Sequence, residues 1–306
     1  MAGGPNGGLP PAAQARMAEI RRSGTWGSAL STEEFAAIRS TGFEPVGQVL
    51  GAAVYNLGYR GGYGCPGAVS SWMLGPSNVG TEVSGRGSWG SFGPLAQAMY
   101  DARHAAIGRM TDECTALGGH GIVGIRLTLA PFPAGGLEFR AIGTAVRGQG
   151  AQAPPRPFSS DLSGQDFAKL IMAGWVPAGL AMGISIGARH DDWVTRGQTA
   201  WGAGNTEVLG YTDLVNATRH DARVQLQADV ARLGGTGVVI ATNDLRVHER
   251  ECPSQEHARD HIAEATIIGT AIARFARSQP AAPPGSLAIL SLDPQRRQAS
   301  RVRLGR

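Results

Sequence analysis

The sequence predicts an α+β protein made of two tandem copies of one small α-β-α-β-β module. Three segments of the chain recur in the same order, and the helix and strand signals follow that order in each copy. Helices and strands that mix without regular β-α-β spacing favour an α+β fold over a doubly wound parallel sheet. In each copy we expect a sheet packed on one long helix.

The repeat consists of three pairs of segments at different offsets. Residues 35–51 match 167–183, residues 103–123 match 219–239, and residues 142–146 match 268–272. The first pair, at an offset of 132, shares these identities: Phe35/Phe167, Ala36/Ala168, Gly42/Gly174, Pro45/Pro177, Gly47/Gly179 and Gly51/Gly183. The later pairs are offset by 116 and 126 residues. Because the order is kept while the offsets differ, we expect one shared frame with loops of different length.

Helix and strand signals recur at matching places in the two copies. Ser31 and Ser163 each precede an acidic residue three positions on, which is typical of a capped helix N-terminus. Gly42 and Gly174 are typical of a helix C-terminus, and glycines inside the following strand indicate a close approach of another backbone. The predicted strands and long helices are Val46–Val54, Leu95–Leu117, Ile122–Leu129 and Leu137–Val146 in the first copy, and Ala178–Ile186, Thr212–Leu233, Val238–Val247 and Ala265–Arg274 in the second.

Composition divides the chain into five parts. The predicted parts are a tail (1–30), a first module (31–147), a linker (148–160), a second module (161–277) and a second tail (278–306). The first tail is rich in Gly, Pro, Ala and Arg, so we expect it to be largely disordered, with a helical piece around residues 11–22. The linker is rich in Pro, and the second tail is rich in Pro and Arg.

The excess of basic charge lies outside the predicted modules. The formal net charge of the chain is +4, yet residues 32–147 carry 8 Arg against 8 acids, and residues 161–277 carry 11 Lys and Arg against 14 acids. Residues 278–306 carry five Arg against one Asp. Because nucleic-acid binding needs a basic face on a folded domain, we expect no nucleic-acid partner.

Cysteine usage and hydropathy predict a cytoplasmic protein without a membrane partner. Cys65, Cys114 and Cys252 are an odd number without paired spacing, which argues against a disulfide framework and fits a reducing compartment. The sequence contains no run of 18 apolar residues, so we expect no membrane-spanning helix. The first residues lack the charged and apolar stretches of a secretory signal.

The sequence contains no motif that identifies a reaction. The Gly-rich stretches at 61–64 and 85–87 do not follow the strand–GxGxxG–helix pattern of a dinucleotide site, and no P-loop or GxSxG motif occurs. The segment 59–93 carries the aromatic residues Tyr63, Trp72, Trp89 and Phe92 in a Gly- and Ser-rich background. A loop of this length is typical of a functional segment, which either covers an interface, binds a protein partner or folds back on its own module.

The second copy contains the best local group of soft metal ligands. His248 and Cys252 lie within loop reach of His257 and His261, and these two histidines, four residues apart, would share one face of a helix. Imidazole and thiolate groups that converge are the usual ligands of zinc-like metals. The competing interpretation is a solvated polar insertion, because several acids lie in the same stretch: Glu249, Glu251, Glu256 and Asp260.

A histidine preceded by an arginine recurs at matching positions of both copies. Arg103-His104 and Arg219-His220 both lie on the predicted long helices. One interpretation is that His104 and His220 line an interface, a pocket or a metal site. The other is that each arginine forms a surface ion pair with a neighbouring acid.

The repeated blocks resemble the YbjQ-like family, whose domain carries the label of heavy-metal binding. In the first copy, the residues that carry the resemblance are Gly47, Gly51, Leu117-Gly-Gly-His-Gly-Ile-Val-Gly and Gly143-Thr-Ala-Val. In the second copy, they are Gly179, Gly183, Leu233-Gly-Gly-Thr-Gly-Val-Val and Gly269-Thr-Ala-Ile. The resemblance covers residues 32–147 and 161–275, and it implies a small module with a sheet packed on a long helix.

The resemblance also implies ring-like oligomers with five modules per ring. Because each chain carries two modules, whole chains cannot build a single ring of five; five chains would give ten modules, in two rings or in one larger ring. We therefore expect a non-enzymatic, oligomer-forming protein with a structural or ligand-binding role and no required cofactor. One alternative is an enzyme with its site at the interface between modules. The other is a heavy-metal-binding protein whose ligands for a divalent metal are His248, Cys252, His257, His261, His104 and His220.

Overall fold

A computed structural model describes residues 9–56, 81–84, 92–133, 136–150, 153–252 and 259–275. Within these ranges the chain forms six helices and two four-stranded sheets, which confirms the predicted α+β class. None of the described helices is both long enough and apolar enough to cross a membrane. The described residues up to Arg274 belong to one compact unit.

Helices and strands follow the predicted order in both halves of the chain. The helices are α1 (Pro11–Ser23), α2 (Thr32–Ser40), α3 (Gly93–Ala116), α4 (Gly164–Met172), α5 (Trp193–Thr199) and α6 (Leu209–Arg232). The strands are β1 (Phe43–Tyr55), β2 (Glu82–Val83), β3 (Gly121–Phe132), β4 (Gly136–Gly148), β5 (Phe158–Ser159), β6 (Trp175–His190), β7 (Gly237–Glu251) and β8 (Arg259–Arg274). Each predicted strand lies within an observed one.

The first sheet has the strand order β1-β4-β3-β5. Strands β1 and β3 each pair antiparallel with β4, and α3 packs across β1. At Gly51 the α3 backbone comes so close that a Cβ atom would overlap the carbonyl oxygen of Ala106. This contact confirms the predicted close approach at a strand glycine, because a residue with a side chain would not fit there.

The second sheet has the strand order β2-β6-β8-β7 and is antiparallel throughout. Helix α6 packs across β6 in the way that α3 packs across β1, and a Cβ atom at Gly183 would overlap the carbonyl oxygen of Ala222. The register of each sheet shifts near the start of its long strand, at Pro45/Gly47 in β1 and at Pro177/Gly179 in β6. These positions are equivalent in the predicted repeat.

The short helices α2 and α4 begin at the predicted capping residues. The hydroxyl of Ser31 accepts a hydrogen bond from the Glu34 backbone N–H at 3.2 Å, and the Glu34 side chain completes a capping box. The hydroxyl of Ser163 accepts from the Asp166 backbone N–H at 3.1 Å. A left-handed glycine, the expected helix C-terminus, follows each helix. The φ angles are 81° at Gly42 and 83° at Gly174.

The N-terminal segment is more ordered than the sequence predicts. Residues 9–30 belong to the predicted disordered tail, yet they contain α1, which covers the predicted helical piece. Met17 is buried, and Arg16 forms an ion pair with the buried Glu113 of α3. These long-range contacts order the segment despite its composition; residues 1–8 lie outside the described ranges.

Helix α3 joins the two sheets. It packs on its own strand β1, and it also contacts β6 of the second sheet. One apolar cluster contains Ala102 and Ala106 of α3 together with Leu180, Met182 and Ile268 of the second sheet. The two halves of the chain therefore share a continuous core.

Tyr100 of α3 reaches the edge of β6. Its hydroxyl oxygen accepts a hydrogen bond from the Ile184 backbone N–H at 2.6 Å and lies 3.4 Å from the Ile184 carbonyl oxygen. Burial raises the pKa of Tyr100 to about 12. The hydroxyl therefore keeps its proton and provides a neutral contact between the halves.

The last residues of the predicted linker form a strand. Phe158–Ser159 (β5) pairs in parallel with the start of β3. The pairing continues at Ser160, whose N–H donates to the Ile122 carbonyl at 2.9 Å and whose carbonyl accepts from the Ile125 N–H at 3.0 Å. The residues that lead into the second half thus complete the edge of the first sheet, instead of forming a free linker.

Most of the segment 59–93, including Tyr63, Trp72 and Trp89, lies outside the described ranges. Its described part contacts the second half of the chain. Glu82–Val83 forms β2, which pairs with β6, and Phe92 is buried in a cluster with Ile186 and Ala188. These contacts favour the interpretation that the segment covers an interface within the chain, and a protein partner for it stays a prediction.

Candidate functional site

Three metal-ligating side chains come together at one end of the second sheet. His190 ends β6, Cys252 follows β7, and Asp260 lies at the start of β8. One ligand atom from each residue lies within 4.8 Å of the other two, and all three residues are buried. We call this group the His-Cys-Asp cluster. In the part of the chain that the structure describes, it is the one group of His, Cys, Asp or Glu residues with this geometry.

Hydrogen bonds hold Asp260 within the His-Cys-Asp cluster. The Nδ1 atom of His190 lies 2.9 Å from Asp260 Oδ1. Arg250 donates to Asp260 Oδ2 from Nε at 3.2 Å and from Nη2 at 3.1 Å. Asp260 is the register partner of His190 on one side and of Arg250 on the other. Because paired residues of antiparallel strands place their side chains on the same face, the sheet itself brings these groups together.

A second polar group surrounds His261, the residue after Asp260 in β8. The His261 ring packs on Tyr211 of α6 with centroids 4.3 Å apart. Its Nδ1 lies 3.4 Å from Asp191 Oδ1, and its Nε2 lies 3.4 Å from Glu249 Oε1. Burial and the Asp191 carboxylate, which accepts a hydrogen bond from the Tyr211 hydroxyl, raise the pKa of Tyr211. Since adjacent strand residues point to opposite faces, this group lies on the other side of the sheet from Asp260.

The structure places one of the four ligands predicted in this region in the cluster, namely Cys252. His261 points to the opposite face, and His248 is half exposed on β7, where its Nε2 lies 3.1 Å from Glu264 Oε1. His257 lies outside the described residues. The expectation that His261 lies on a helix is wrong, because pairing with both β6 and β7 holds this segment in an extended strand.

The other predicted ligands, His104 and His220, lie on the long helices α3 and α6. The His104 ring stacks on Tyr100 with centroids 6.1 Å apart, and His220 is exposed. Neither histidine belongs to a metal-ligand group among the described residues. Arg103 lies over the Phe139 ring, 5.2 Å from its centroid, which differs from the expected surface ion pair.

His190 and Asp260 were not among the ligands predicted from the sequence. His190 lies beyond the predicted end of β6 at Ile186, and Asp260 lies before the predicted start of β8 at Ala265. The signal available in the sequence was a histidine at the end of an apolar strand. Its partner follows from the strand register, which a single sequence does not specify.

Two cavities lie where the halves of the chain meet. The larger one has a volume of about 550 Å³, and its lining includes Phe92, Leu95, Met99, His248, Arg250 and Glu264. The smaller one, of about 70 Å³, is lined in part by Arg103. Neither of these cavities combines Arg103 or Arg219 with a carboxylate, which is the arrangement that would favour an enzyme at this interface.

The outer edge of β7 is open. No described strand pairs with it on that side, whereas the equivalent strand β3 is covered by β5. The difference is clear at two matched valines: Val123 of β3 is 0% exposed and Val239 of β7 is 38% exposed. An uncovered apolar strand edge is a surface on which another strand can pair.

Two segments, 26–30 and 158–162, lead into the two halves, and we call them the leading segments. Each makes the same hydroxyl contact with its own sheet, 3.2 Å for Ser28 with Thr144 and 3.0 Å for Ser160 with Thr270. The second leading segment also covers the edge of β3. Among the described residues, the first belongs to neither sheet.

The aromatic residues of the leading segments are also matched. Trp26 stacks on Phe35 of α2 with ring centroids 6.2 Å apart. Phe158 stacks on Phe167 of α4 with centroids 5.7 Å apart. Trp26 is 38% exposed, so an apolar ring is available at the surface of the first half.

Comparisons with known proteins identify similar chains. A family model described as "Putative heavy-metal-binding" matches residues 83–149. The "Encapsulin nanocompartment protein Rv1762c" of Mycobacterium tuberculosis is 35% identical over 239 residues, which are 76% of this chain and 81% of that protein. This second match is too long to fall within one half of the chain, so it involves both.

Two proteins of Clostridium perfringens, both named UPF0145, match a shorter stretch. They are 42% and 40% identical to this chain over 57 residues, which are 19% of this chain and 54% of each protein. The match therefore spans about half the length of these two relatives. No solved structure matches this chain significantly.

Proposed function

The chain belongs to the YbjQ-like family, and on this premise we propose that it is a cytoplasmic, non-enzymatic structural protein that assembles with copies of itself. In this proposal each chain is a pair of tandem modules, and the contact between two chains repeats the contact between the two modules of one chain. The observation that carries the proposal is the open apolar edge of β7, whose counterpart in the first module is covered by the second leading segment.

Matched buried contacts support the tandem arrangement. The Glu113 carboxylate of α3 accepts a hydrogen bond from the Leu50 N–H at 2.8 Å. The Asp229 carboxylate of α6 accepts from the Met182 N–H at 3.0 Å. Both acids are buried, and both residue pairs have the offsets of the sequence repeat. A buried acid that binds the same strand position in both halves is a specific requirement of one shared fold.

The contact between the modules has an apolar centre. Val123 and Val146 of the first sheet and Ile38 of α2 form a cluster with Leu162 and Phe167 of the second module. Backbone hydrogen bonds between the second leading segment and β3 border this cluster. Burial of the apolar side chains stabilises the contact, and the strand pairing fixes its register.

Each of the two surfaces that form this contact has an equivalent elsewhere on the chain. Val239 at the open β7 edge corresponds to Val123. Trp26, Leu30 and Phe35 correspond to the residues of the second module that cover the β3 edge. We propose that these two equivalent surfaces bind each other between chains, so that Leu30 and Phe35 of one chain cover Val239 of its neighbour.

This contact joins unlike surfaces, so it is heterologous. Heterologous contacts generate a closed ring when the rotation between successive subunits closes, and an open filament when it does not. A closed ring covers every β7 edge and removes the hazard of an exposed edge strand. We therefore propose a ring of whole chains, which contains an even number of modules.

Where a long helix meets the neighbouring sheet, the proposed contact between chains is more polar than the contact between the two modules of one chain. Inside the chain, Tyr100 of α3 reaches Ile184 of β6. The equivalent of Tyr100 on α6 is Asn216, and the equivalent of Ile184 on β1 is the smaller Ala52. The contact between chains therefore depends mainly on the β7 edge and the first leading segment.

The names of the relatives support an assembly role more than a catalytic one. The Mycobacterium tuberculosis relative is named for a nanocompartment, and the Clostridium perfringens relatives carry names that state no activity. A nanocompartment is an assembly, so a related chain with an open β7 edge and a leading segment that is complementary to it suits the same kind of role.

The mass of the native protein tests the proposed function. In light scattering coupled to size-exclusion chromatography at micromolar concentration, we expect a single species that contains several whole chains, each of 31.8 kDa. Because each subunit of a closed ring is held by two contacts, the mass should persist on roughly tenfold dilution. A mass of one chain at micromolar concentration would contradict the proposal.

A further inference from the structure

We propose that the His-Cys-Asp cluster binds one transition-metal ion of the zinc class. The cluster consists of His190, Cys252 and Asp260, all buried in the second module. These residues lie outside 83–149, the range that matches the family model for heavy-metal binding. The proposal does not depend on self-assembly, because all three ligands come from one chain.

The donor atoms are those that zinc-class ions prefer. An imidazole nitrogen, a thiolate sulfur and a carboxylate oxygen are each ligands of zinc, and three protein ligands leave a fourth tetrahedral position for water or another ligand. With metal–ligand bonds of about 2.0–2.3 Å, tetrahedral donors lie roughly 3.3–3.7 Å apart. Since the donors already lie within 4.8 Å of one another, small side-chain movements would complete the site.

The two anionic ligands of the cluster match the charge of a divalent ion, and Arg250, whose side chain is partly exposed, keeps its own charge on the outer side of Asp260. On binding, the metal replaces the thiol proton of Cys252, and this proton passes to solvent. The thiolate and the Asp260 carboxylate then neutralise the ion, while His190 binds as a neutral imidazole. Anionic ligands beside the ion are what burial requires, because an isolated charge is costly to remove from water.

Arg250 positions the carboxylate without occupying both of its oxygens. It donates two hydrogen bonds to Asp260 Oδ2, whereas Oδ1 faces His190 Nδ1 at 2.9 Å. In metal sites, surrounding residues commonly form hydrogen bonds with the metal ligands and so fix their orientation. Because β6 and β8 carry His190 and Asp260 and Cys252 directly follows β7, the three ligands lie close together before any ion binds.

The competing explanation is a buried ion-pair group in which Cys252 is an ordinary buried thiol. Cys114 provides the comparison for that role: it is buried in the first module, and its Sγ lies 3.4 Å from the Gly121 carbonyl oxygen, to which it donates. The two explanations differ in whether the sulfur of Cys252 binds a metal. Cobalt(II) makes this difference visible, because a thiolate bound to it gives a charge-transfer absorption.

Titration of the full-length, metal-free protein with Co²⁺ tests the proposal. We expect about one equivalent to bind, with the intense visible bands of tetrahedral cobalt and a thiolate charge-transfer band, and Zn²⁺ should displace it. Cys252→Ser should remove the charge-transfer band and weaken Zn²⁺ binding at least tenfold. The matched variant Cys114→Ser should keep both properties.

X-ray absorption of the zinc-loaded unmodified protein gives a test that does not depend on how a variant folds. We expect one sulfur at about 2.3 Å from zinc and nitrogen or oxygen ligands at about 2.0–2.2 Å. Any of three results would overturn the proposal: less than about 0.1 equivalents of bound metal, a zinc site without sulfur, or loss of the charge-transfer band in Cys114→Ser instead of Cys252→Ser.

Discussion

Replacing Val239 with arginine is expected to separate the assembly into single chains that remain folded. In the proposed ring, Leu30 and Phe35 of the neighbouring chain cover Val239, so the substitution removes an apolar contact and buries a charge without a partner. We expect each contact between chains to weaken by about 3 kcal/mol, or roughly a hundredfold. Light scattering should then report single chains at concentrations where the unmodified protein is assembled.

The matched control for this substitution is Val247→Arg. Val247 is 50% exposed on the same strand, but it lies beyond the part of the edge that pairs in the proposed contact. The control should keep the assembled mass, and circular dichroism should show that both variants are folded. If Val239→Arg remained assembled, or if both variants dissociated, the proposed contact at the β7 edge would be wrong.

Replacing Gly183 with valine is expected to destabilise the fold strongly. A Cβ atom at this position would overlap the Ala222 carbonyl oxygen and lie 2.9 Å from Leu226 Cβ, so α6 would have to move away from β6. Overpacking in a core costs about 1–3 kcal/mol, and we expect a loss at or above the upper limit because backbone atoms are involved. Chemical denaturation at one fixed protein concentration measures this loss.

Gly197→Ala is the control for the glycine substitution. A Cβ atom at Gly197 would meet nothing within 4 Å, and this residue lies in α5. The free energy of unfolding should stay the same or rise by up to about 1 kcal/mol, since alanine has the higher helix propensity. A loss below about 1 kcal/mol in Gly183→Val would show that α6 does not pack on β6 as described.

Local features of the fold were predictable because each depends on a few neighbouring residues. A serine followed by an acid three positions on specifies a helix start at Ser31 and Ser163, and both caps are present. The strand glycines Gly51 and Gly183 predicted that another backbone approaches closely, although they did not identify the approaching helix. The α+β class followed from the order of these local signals.

Long-range contacts account for what the sequence did not reveal. Helix α1 buries few apolar side chains, and an ion pair of Arg16 with the distant Glu113 helps to hold it. No pattern within residues 1–30 contains that information, so composition indicated disorder. Residues 158–160 were assigned to the linker for the same reason, because their strand partner is β3 of the first module.

The candidate metal site was predictable in part. Cys252 was recognised as a soft ligand, but its partners His190 and Asp260 lie 62 and 8 residues away in sequence. The charged residues around β7 and the start of β8 suggested a solvated insertion, yet β7 reaches Glu251 and β8 begins at Arg259. Register pairing brings His190 and Asp260 together next to the residue that follows β7, and a single sequence does not specify register.

An engineered disulfide between chains tests most directly whether the contact between chains repeats the one within a chain. Gly27 and Val238 are the counterparts of Ser159 and Ile122, which are register partners in the internal contact. A Cβ atom at Gly27 would meet nothing within 4 Å, so cysteine fits there. Paired strands also bring Cα atoms within the range of about 4.4–6.8 Å that a disulfide spans.

The double variant Gly27→Cys/Val238→Cys should, on mild oxidation, give covalently linked multimers of the chain on a non-reducing denaturing gel. The two single variants, which keep the native cysteines, should give only the background of the unmodified protein. Linked multimers from the double variant alone are the predicted result. If the assembled double variant stayed monomeric on the gel, the account of a repeated head-to-tail contact would be contradicted.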